Sequence, residues 1–304
     1  VTDLYGDVPH FSAGKGYTDR NFQPAYDDQK LIYADMMKEL QEAAASFDAT
    51  QIIPVKADIV YAGDISKWKK FANSLMLRLA LRMSKADPAN SAKWISTAIN
   101  DGVFESNDDN FVVYYKPNTY YATISNGQST PFVYYTTWKL AAPFVDFLKT
   151  NNDPRIYIYS VLPNLDTTAA MQKGLPPFTP SNLVPSPLTE YSASPLTTFG
   201  KYDAPYIHLS YSQVQLMLSE IAIRGLVPEV NASQAAAMYE NGIKAAMNEL
   251  SIYGGTYKIT DEAINNYINN HPLNTANVDT ALKQINTQYW VEMHYNFYEM
   301  YANW

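Results

Sequence analysis

The segment DISKWKKFANSLMLRLALRMSKADP, Asp64–Pro88, carries the strongest secondary-structure signal in this chain. Its apolar residues recur every three or four positions, which is typical of an amphipathic α-helix, and we expect the helix to open at Ser66. Apolar residues also occupy a second face, so the helix is predicted to be buried on two sides. The residues of the two faces are Trp68, Phe71, Ala72, Leu75, Leu79 and Met83, and Met76, Leu77, Ala80 and Leu81.

A second helix is predicted directly after this one. Asp87 can cap its first turn, because a side-chain oxygen there accepts from a free backbone N–H, and Pro88 suits the first helical position. Gly102 can end the helix just after Asp101. Residues 66–101 are therefore predicted to form one helical hairpin.

Comparable patterns elsewhere predict an all-α fold. A second hairpin is expected at 210–250, with its first helix ending at Gly225. Hairpins of this size resemble the tetratricopeptide repeat, although the usual consensus sequence of that repeat is not recognisable here. We predict one domain, 1–304, of tetratricopeptide-like hairpins packed into a superhelix. The other predicted helices run from Asp27 or Asp28 to about Phe47, from Thr137 to Thr150 with Pro143 inside, from Asp261 to Asn270, and from about Asp279 past Trp290.

The region 103–209 differs from the rest of the chain. It is rich in proline and shows only one convincing helical pattern. Such a length is unusual for a plain connection in a compact domain, and long ordered loops on a helical scaffold often carry function. We therefore predict that 103–209 is an irregular, loop-rich insertion that bears the ligand.

Tyrosine is the unusual feature of the composition. The chain has 25 tyrosines, whereas charged residues make up only 17%. Tyrosine joins an apolar ring to a hydroxyl group and suits wet interfaces, so this composition favours contact with a polar, uncharged ligand such as a sugar. Alternatively, tyrosine replaces phenylalanine in a large helical core. Composition alone leaves both interpretations open.

The stretch 111–138 contains the candidate ligand-binding residues. Stacking of a sugar on aromatic rings, with hydrogen bonds from amides at the edge, requires rings on irregular backbone. The alternative is that every second ring packs on the core, as in a short strand. The candidates are Tyr114, Tyr115, Asn118, Tyr120, Tyr121, Asn126, Gln128, Tyr134, Tyr135 and Trp138.

Other chemistry finds little support in the sequence. The absence of cysteine excludes thiolate nucleophiles and cysteine-based metal sites, and no nucleophile elbow or paired-histidine metal motif is present. Asp108 and Asp109 offer oxygen ligands for calcium, but the spacing favours a solvated turn. The net charge of −8 and scattered basic residues disfavour a nucleic-acid partner. We predict no catalytic residue and no cofactor.

Several segments resemble the SusD/RagB family of outer-membrane glycan-binding lipoproteins. The segment Asp64–Pro88 is the most specific match. The other matching segments are TDLYGDVPH (Thr2–His10), PAYDDQKLIYADMMKELQEA (Pro24–Ala43), APYIHLSYSQVQLMLSEIAIRG (Ala204–Gly225), AAAMYENGIKAAMNEL (Ala235–Leu250) and ALKQINTQYWVEMHYNFYEMYANW (Ala281–Trp304).

The resemblance implies a surface glycan-binding protein without enzymatic activity. It also implies a partner, a SusC-type TonB-dependent transporter. The protein would cover the opening of this transporter at the outward face of the outer membrane. Relatives are anchored by a lipidated N-terminal cysteine, and this chain has neither that cysteine nor the first helical stretch. We therefore expect it to be a fragment, with membrane contact only through an anchor that this chain does not contain.

Two rival functions come from other classes. A helical-repeat scaffold would bind a peptide or protein in a groove between the two hairpins, and 103–209 would be a peripheral insertion. A glycoside hydrolase would need two carboxylates across a cleft, which a sequence cannot place. Binding of an oligosaccharide or polysaccharide without turnover is the leading hypothesis.

Overall fold

The computed structural model describes residues 1–48, 50, 57–116, 126–127, 129, 138–177 and 188–303. Its architecture is mostly helical, with one small sheet, which confirms the all-α prediction. Within these residues, no helix combines the length and the apolar character that a bilayer span requires. The helices are α1 (Thr2–Tyr5), α2 (Gln29–Ser46), α3 (Ile65–Arg82), α4 (Pro88–Asp101), α5 (Ala142–Thr150), α6 (Ile156–Tyr159), α7 (Tyr211–Arg224), α8 (Ala235–Glu249), α9 (Asp261–Asn270), α10 (Val278–Glu292) and α11 (Phe297–Asn303), and the strands are β1 (Phe111–Val113) and β2 (Tyr206–Leu209).

The predicted hairpin of α3 and α4 is confirmed. The Asp87 side chain accepts from the backbone N–H of Asn90 and caps α4, while Gly102 ends the helix with a positive φ of 92°. Helix α3 begins at Ile65 and not at Ser66, because Asp64 is the residue that caps it. It packs against α2, α4 and α7, which confirms burial on more than one side.

The second predicted hairpin is also confirmed. Helix α7 ends at Gly225, which adopts the left-handed conformation with a φ of 59°. Helices α7 and α8 approach closely at Gly242, where an added Cβ atom would lie 2.7 Å from Cγ of Leu216. The hydrophobic core extends from this contact and consists of fully buried apolar residues of several helices. Among them are Met37, Met76, Leu77, Ile95, Val214, Ile221, Ile243, Met247, Ile264 and Val291.

Two helix boundaries differ from the prediction. Helix α5 begins at Ala142, so Pro143 lies in its first turn, where a missing N–H costs no hydrogen bond; the predicted start at Thr137 lies outside the described residues. The last predicted helix is interrupted after Glu292 and resumes as α11. The turn between them buries His294, whose ring stacks on Phe144 at 3.9 Å.

The small sheet closes the base of 103–209. Strand β1 pairs antiparallel with β2, so the beginning and the end of this region meet. The region also contains α5 and α6, and the buried guanidinium of Arg155 links it to the helices by donating to Gln288 of α10 at 2.7 Å. Its described part is therefore more ordered than the proline content suggests, while its boundaries as a functional unit remain a prediction.

Candidate ligand-binding surface

Tyr115 and Tyr298 lie near Tyr206, where the sheet meets the last helix, and Tyr114 is the exposed neighbour of Tyr115 in the sequence. Val113, the end of β1, pairs with Tyr206 of β2, and Tyr114 and Tyr115 continue the chain beyond β1. Burial raises the pKa of Tyr206 to about 12, with smaller contributions from the neighbouring phenols of Tyr115 and Tyr298. The phenols of Tyr115 and Tyr298 are therefore each near enough to Tyr206 for their charges to act on it. We call Tyr114, Tyr115, Tyr206 and Tyr298 the tyrosine shelf.

The tyrosine shelf presents uncharged rings to solvent. Tyr114 is 60% exposed and Tyr298 is 63% exposed, whereas Tyr115 and Tyr206 are half-buried. A phenol is protonated at neutral pH and both donates and accepts hydrogen bonds, while its ring faces are apolar. The shelf can therefore contact a ligand that has apolar faces and hydroxyl groups at its edge.

Ion pairs fix the helix that carries Tyr298. Glu299, the next residue, is buried and pairs with Arg82 and with Arg78 of α3. Arg82 also pairs with Asp3 of α1, with 2.6 Å between nitrogen and oxygen. Because these contacts hold Glu299 inward, Tyr298 faces solvent at the shelf.

Trp138 lies at a separate apolar pocket of about 490 Å³. The Trp138 side chain is 47% exposed at this pocket. Burial lowers the pKa of His294 to about 3, so the imidazole in the pocket wall is neutral. Helix α11 contributes to the wall and also carries Tyr298, which brings the pocket and the tyrosine shelf to the same helix. The other lining residues are Lys139, Leu140, Ala141, Phe144, Ser194, Trp290, Tyr295, Phe297 and Met300.

The structure places only some of the predicted site residues. Tyr114 and Tyr115 lie in the tyrosine shelf, and Trp138 lies at the pocket. Asn126 is buried, and its amide donates to the backbone oxygen of Ala204 at 3.0 Å, so this side chain serves the fold. The predicted residues Asn118, Tyr120, Tyr121, Gln128, Tyr134 and Tyr135 lie outside the described residues.

Asp108 and Asp109, the two residues that the sequence offers as calcium ligands, lie in a short 3₁₀ turn at Asn107–Asp109. Lys70 pairs with the Asp109 carboxylate at 3.1 Å, where a bound cation would lie. That carboxylate also accepts from the backbone N–H of Glu105. Among the described residues, no group of three histidine, aspartate or glutamate side chains is arranged to hold a metal. The Asp109 carboxylate is thus a buried part of this turn, whereas Asp108 is exposed.

Sequence reasoning missed part of the aromatic surface. Tyr206 and Tyr298 are far from Tyr115 in sequence, and no local pattern links them. A second group of exposed aromatic residues lies in the segment before α2. The feature of the sequence that could have indicated this group is the occurrence of aromatic residues among glycines. The Asp27 carboxylate orders this segment by accepting from the backbone N–H groups of His10 and Phe11. Its exposed rings are Tyr5, Phe11, Tyr17, Phe22 and Tyr26.

Comparison with known proteins identifies relatives of this fold. Residues 1–304 match the family model SusD-like_2, described as starch-binding and associating with the outer membrane. A comparison with curated proteins finds no match. Among solved structures, the chain is similar to a chitin-binding protein, with 32% identity and a TM-score of 0.83 over 100% of this chain and 64% of that one.

Two further structures support the same assignment of the fold. The Bacteroidetes SusD-like protein AC2a is 25% identical, with a TM-score of 0.83 over 99% of this chain and 68% of its own. A chitin-binding SusD homologue from Flavobacterium johnsoniae shares the fold at 22% identity, with a TM-score of 0.75 over 99% of this chain and 64% of its own. This chain thus spans less than two thirds of both chitin-binding proteins. Because the family model matches the whole length, the chain belongs to the SusD-like family.

Proposed function

We propose that this chain binds a glycan, with the tyrosine shelf and Trp138 as its aromatic contacts. The observation that carries the proposal is the convergence of exposed and half-buried, uncharged rings near helix α11 from three distant parts of the chain. A pyranose ring has apolar C–H faces that stack on aromatic rings and hydroxyl groups that hydrogen-bond to phenols and amides. Membership of a family described as starch-binding supports the same ligand class.

The first ligand to test is a chitin oligosaccharide. Two of the similar structures are named as chitin-binding proteins, and one of them is 32% identical to this chain. The apolar pocket beside Trp138 also favours a sugar that carries a methyl group, such as an acetamido sugar, over one with hydroxyl groups alone. Isothermal titration with chitin, cellulose and starch oligosaccharides of equal length compares these candidates.

Removal of an exposed ring tests the site directly. Trp138→Ala and Tyr114→Ala should each weaken glycan binding by about tenfold, because a well-packed aromatic contact contributes more than 1 kcal/mol to binding. Tyr114 is 60% exposed, so the unfolding midpoint of Tyr114→Ala should change little, whereas Trp138 is 47% exposed and its removal should lower the midpoint slightly. Titration calorimetry and urea denaturation measure the two quantities.

Tyr157→Ala is the matched control for these variants. Tyr157 is 52% exposed on α6 and belongs to neither the tyrosine shelf nor the pocket lining. It should bind glycan like the parent chain. Unchanged affinity in the Trp138 and Tyr114 variants would show that the glycan binds elsewhere, and no binding to any glycan would refute the function.

We further propose binding without turnover, at the outward face of the outer membrane, together with a SusC-like TonB-dependent transporter. The family description supports outer-membrane association. Incubation of the glycan with the protein should release no reducing sugar. Co-purification of the protein with its transporter from outer membranes tests the partner, and recovery of the protein alone would argue against it.

One observation supports the rival function of peptide binding. A groove of about 1070 Å³ lies between α3, α7, α10 and α11, and it mixes charged groups such as Arg224 and Glu220 with apolar ones such as Met217 and Trp290. A groove of this character suits an amphipathic helix. A peptide array distinguishes the two functions, since saturable peptide binding that survives Trp138→Ala would favour the rival.

A further inference from the structure

Two glutamates meet where the insertion 103–209 joins the helices. Glu249 is the last residue of α8, and Glu292 is the last residue of α10. Glu249 is 9% exposed, and Glu292 is near enough for its charge to raise the pKa of Glu249. Two ionised carboxylates near each other in a buried site repel, and one proton removes that repulsion.

Each glutamate is also bonded to one end of the insertion. One carboxylate oxygen of Glu292 accepts from the hydroxyl of Ser210 at 2.7 Å, directly after β2. The Glu249 carboxyl accepts from the amide of Asn110 at 3.3 Å, directly before β1. The Asn110 side chain in turn accepts from the backbone N–H of Tyr211 at 2.7 Å. The pair thus joins both strands of the base to the ends of α8 and α10.

The cations near the pair are engaged by other partners. Arg78 of α3 donates to Gln213, and its guanidinium pairs with Glu299 of α11. Arg155 donates to Asp153 and to Gln288. In the described part of the chain, no cation is shown hydrogen-bonding to either glutamate. The remaining titratable groups that face the pair are the phenols of Tyr159, Tyr253 and Tyr289.

We propose that Glu249 and Glu292 share one proton at neutral pH and act as positioning residues for the ligand-binding surface. Strand β1 leads into Tyr114 and Tyr115, and β2 begins at Tyr206, so the pair holds the backbone from which these tyrosines project. Loss of the shared proton places two negative charges near each other, separates the base of the insertion from α8 and α10, and weakens ligand binding. The effect on binding rests on the proposed glycan function.

The direction in which pH changes the stability follows from a comparison of the folded chain with the unfolded chain. Burial, followed by the charge of Glu292, raises the pKa of Glu249 well above its ordinary value of 4.5. Above pH 4.5 the unfolded chain releases a proton that the folded chain keeps. The unfolding equilibrium constant therefore rises by about tenfold per pH unit through this one group, until the pair ionises in the folded state.

Glu249→Gln tests the shared proton without a ligand. An amide has nearly the shape of the protonated carboxyl group and carries no charge at any pH. Urea denaturation between pH 5 and pH 9 should show a smaller loss of stability with rising pH in Glu249→Gln than in the parent chain. Glu240→Gln, an exposed carboxyl on the same helix, should keep the parent slope. Parallel pH profiles for the parent and Glu249→Gln would overturn the proposal.

Two further measurements separate this proposal from the proposed function. Infrared spectroscopy of the parent chain at pH 7 should show the carbonyl band of a protonated carboxylic acid, even if the variant does not fold; absence of the band would overturn the shared proton. In titrations with chitin oligosaccharide, the parent should lose affinity between pH 7 and pH 9 more steeply than Glu249→Gln. Equal losses would overturn the positioning role, whereas no glycan binding at either pH would refute only the proposed function.

Discussion

At the scale of the residue, the hydroxyl group distinguishes the buried tyrosines from the exposed ones. The buried Tyr61 donates to the backbone oxygen of Asp109 at 2.7 Å, and the buried Tyr267 accepts from the amide of Gln288 at 2.9 Å. A buried hydroxyl without a partner is costly, so these rings need specific neighbours. Tyr114 and Tyr298 instead keep their hydroxyls in water. The core interpretation of the tyrosine-rich composition is therefore correct for the buried tyrosines, and ligand contact stays a prediction for the exposed ones.

Tyr61→Phe should destabilise the chain by about 1 kcal/mol, because the Asp109 carbonyl loses its hydrogen bond in a buried setting. The phenylalanine ring can keep the edge-on contact that Tyr61 makes with Trp68, at 5.2 Å between ring centroids. Tyr114→Phe, at an exposed position, is the control and should leave stability unchanged. Urea denaturation measures both, and an equal effect of the two substitutions would contradict this account.

At the scale of the element, close approach between helices depends on small residues. The α7–α8 hairpin brings Gly242 against Leu216, and the hydroxyl of Ser212 donates to the backbone oxygen of Gly242 at 2.8 Å. A glycine within a helix normally weakens it. Here the missing side chain allows contact that a larger residue would prevent, so the packing of the pair explains the glycine.

Gly242→Ala should therefore destabilise the chain by about 1–3 kcal/mol, although alanine is the better helix former. The added Cβ atom would lie 2.7 Å from Cγ of the buried Leu216, and the pair must separate to admit it. Asn241→Ala, at the exposed neighbouring position, is the control and should be neutral or slightly stabilising. The thermal unfolding midpoint decides between these outcomes, and a more stable Gly242→Ala would show that Leu216 moves aside freely.

At the scale of the whole molecule, an ion-pair network joins the two ends of the described chain. Arg82 of α3 pairs with Asp3 of α1 and with Glu299 of α11. Since these groups are mostly buried, their pairing is screened less by salt than a surface pair would be. The network therefore sets the position of α11, which carries Tyr298 and part of the pocket at Trp138.

Arg82→Met should loosen both α1 and α11, because Asp3 and Glu299 lose their shared cation. Amide hydrogen exchange should accelerate in residues 2–5 and 297–303, and glycan affinity should fall although Arg82 lies outside the tyrosine shelf. Lys85→Met removes an exposed positive charge one turn further along and is the control. Exchange that is unchanged in α11 would mean that apolar packing alone holds this helix.

Much of the fold could be predicted because its signals are local. The cap at Asp87 and the C-terminal glycine at Gly225 act within one helical turn, so the residues that form each boundary are adjacent in sequence. The break after Glu292 was not predicted, since apolar residues continue through it and the stacking of His294 on Phe144 joins distant segments. The family resemblance, carried by the same helices, is confirmed by the match over 1–304.

The amino-acid order alone established the helices, their hairpins and the region in which rings are concentrated, because periodicity and capping involve neighbours in the chain. The folded arrangement established which rings face solvent together. Tyr115, Tyr206 and Tyr298 meet through a strand pairing and a set of buried ion pairs, and neither contact has a local signature. The same holds for Glu249 and Glu292, which lie near each other only because the ends of two helices converge on the base of the insertion.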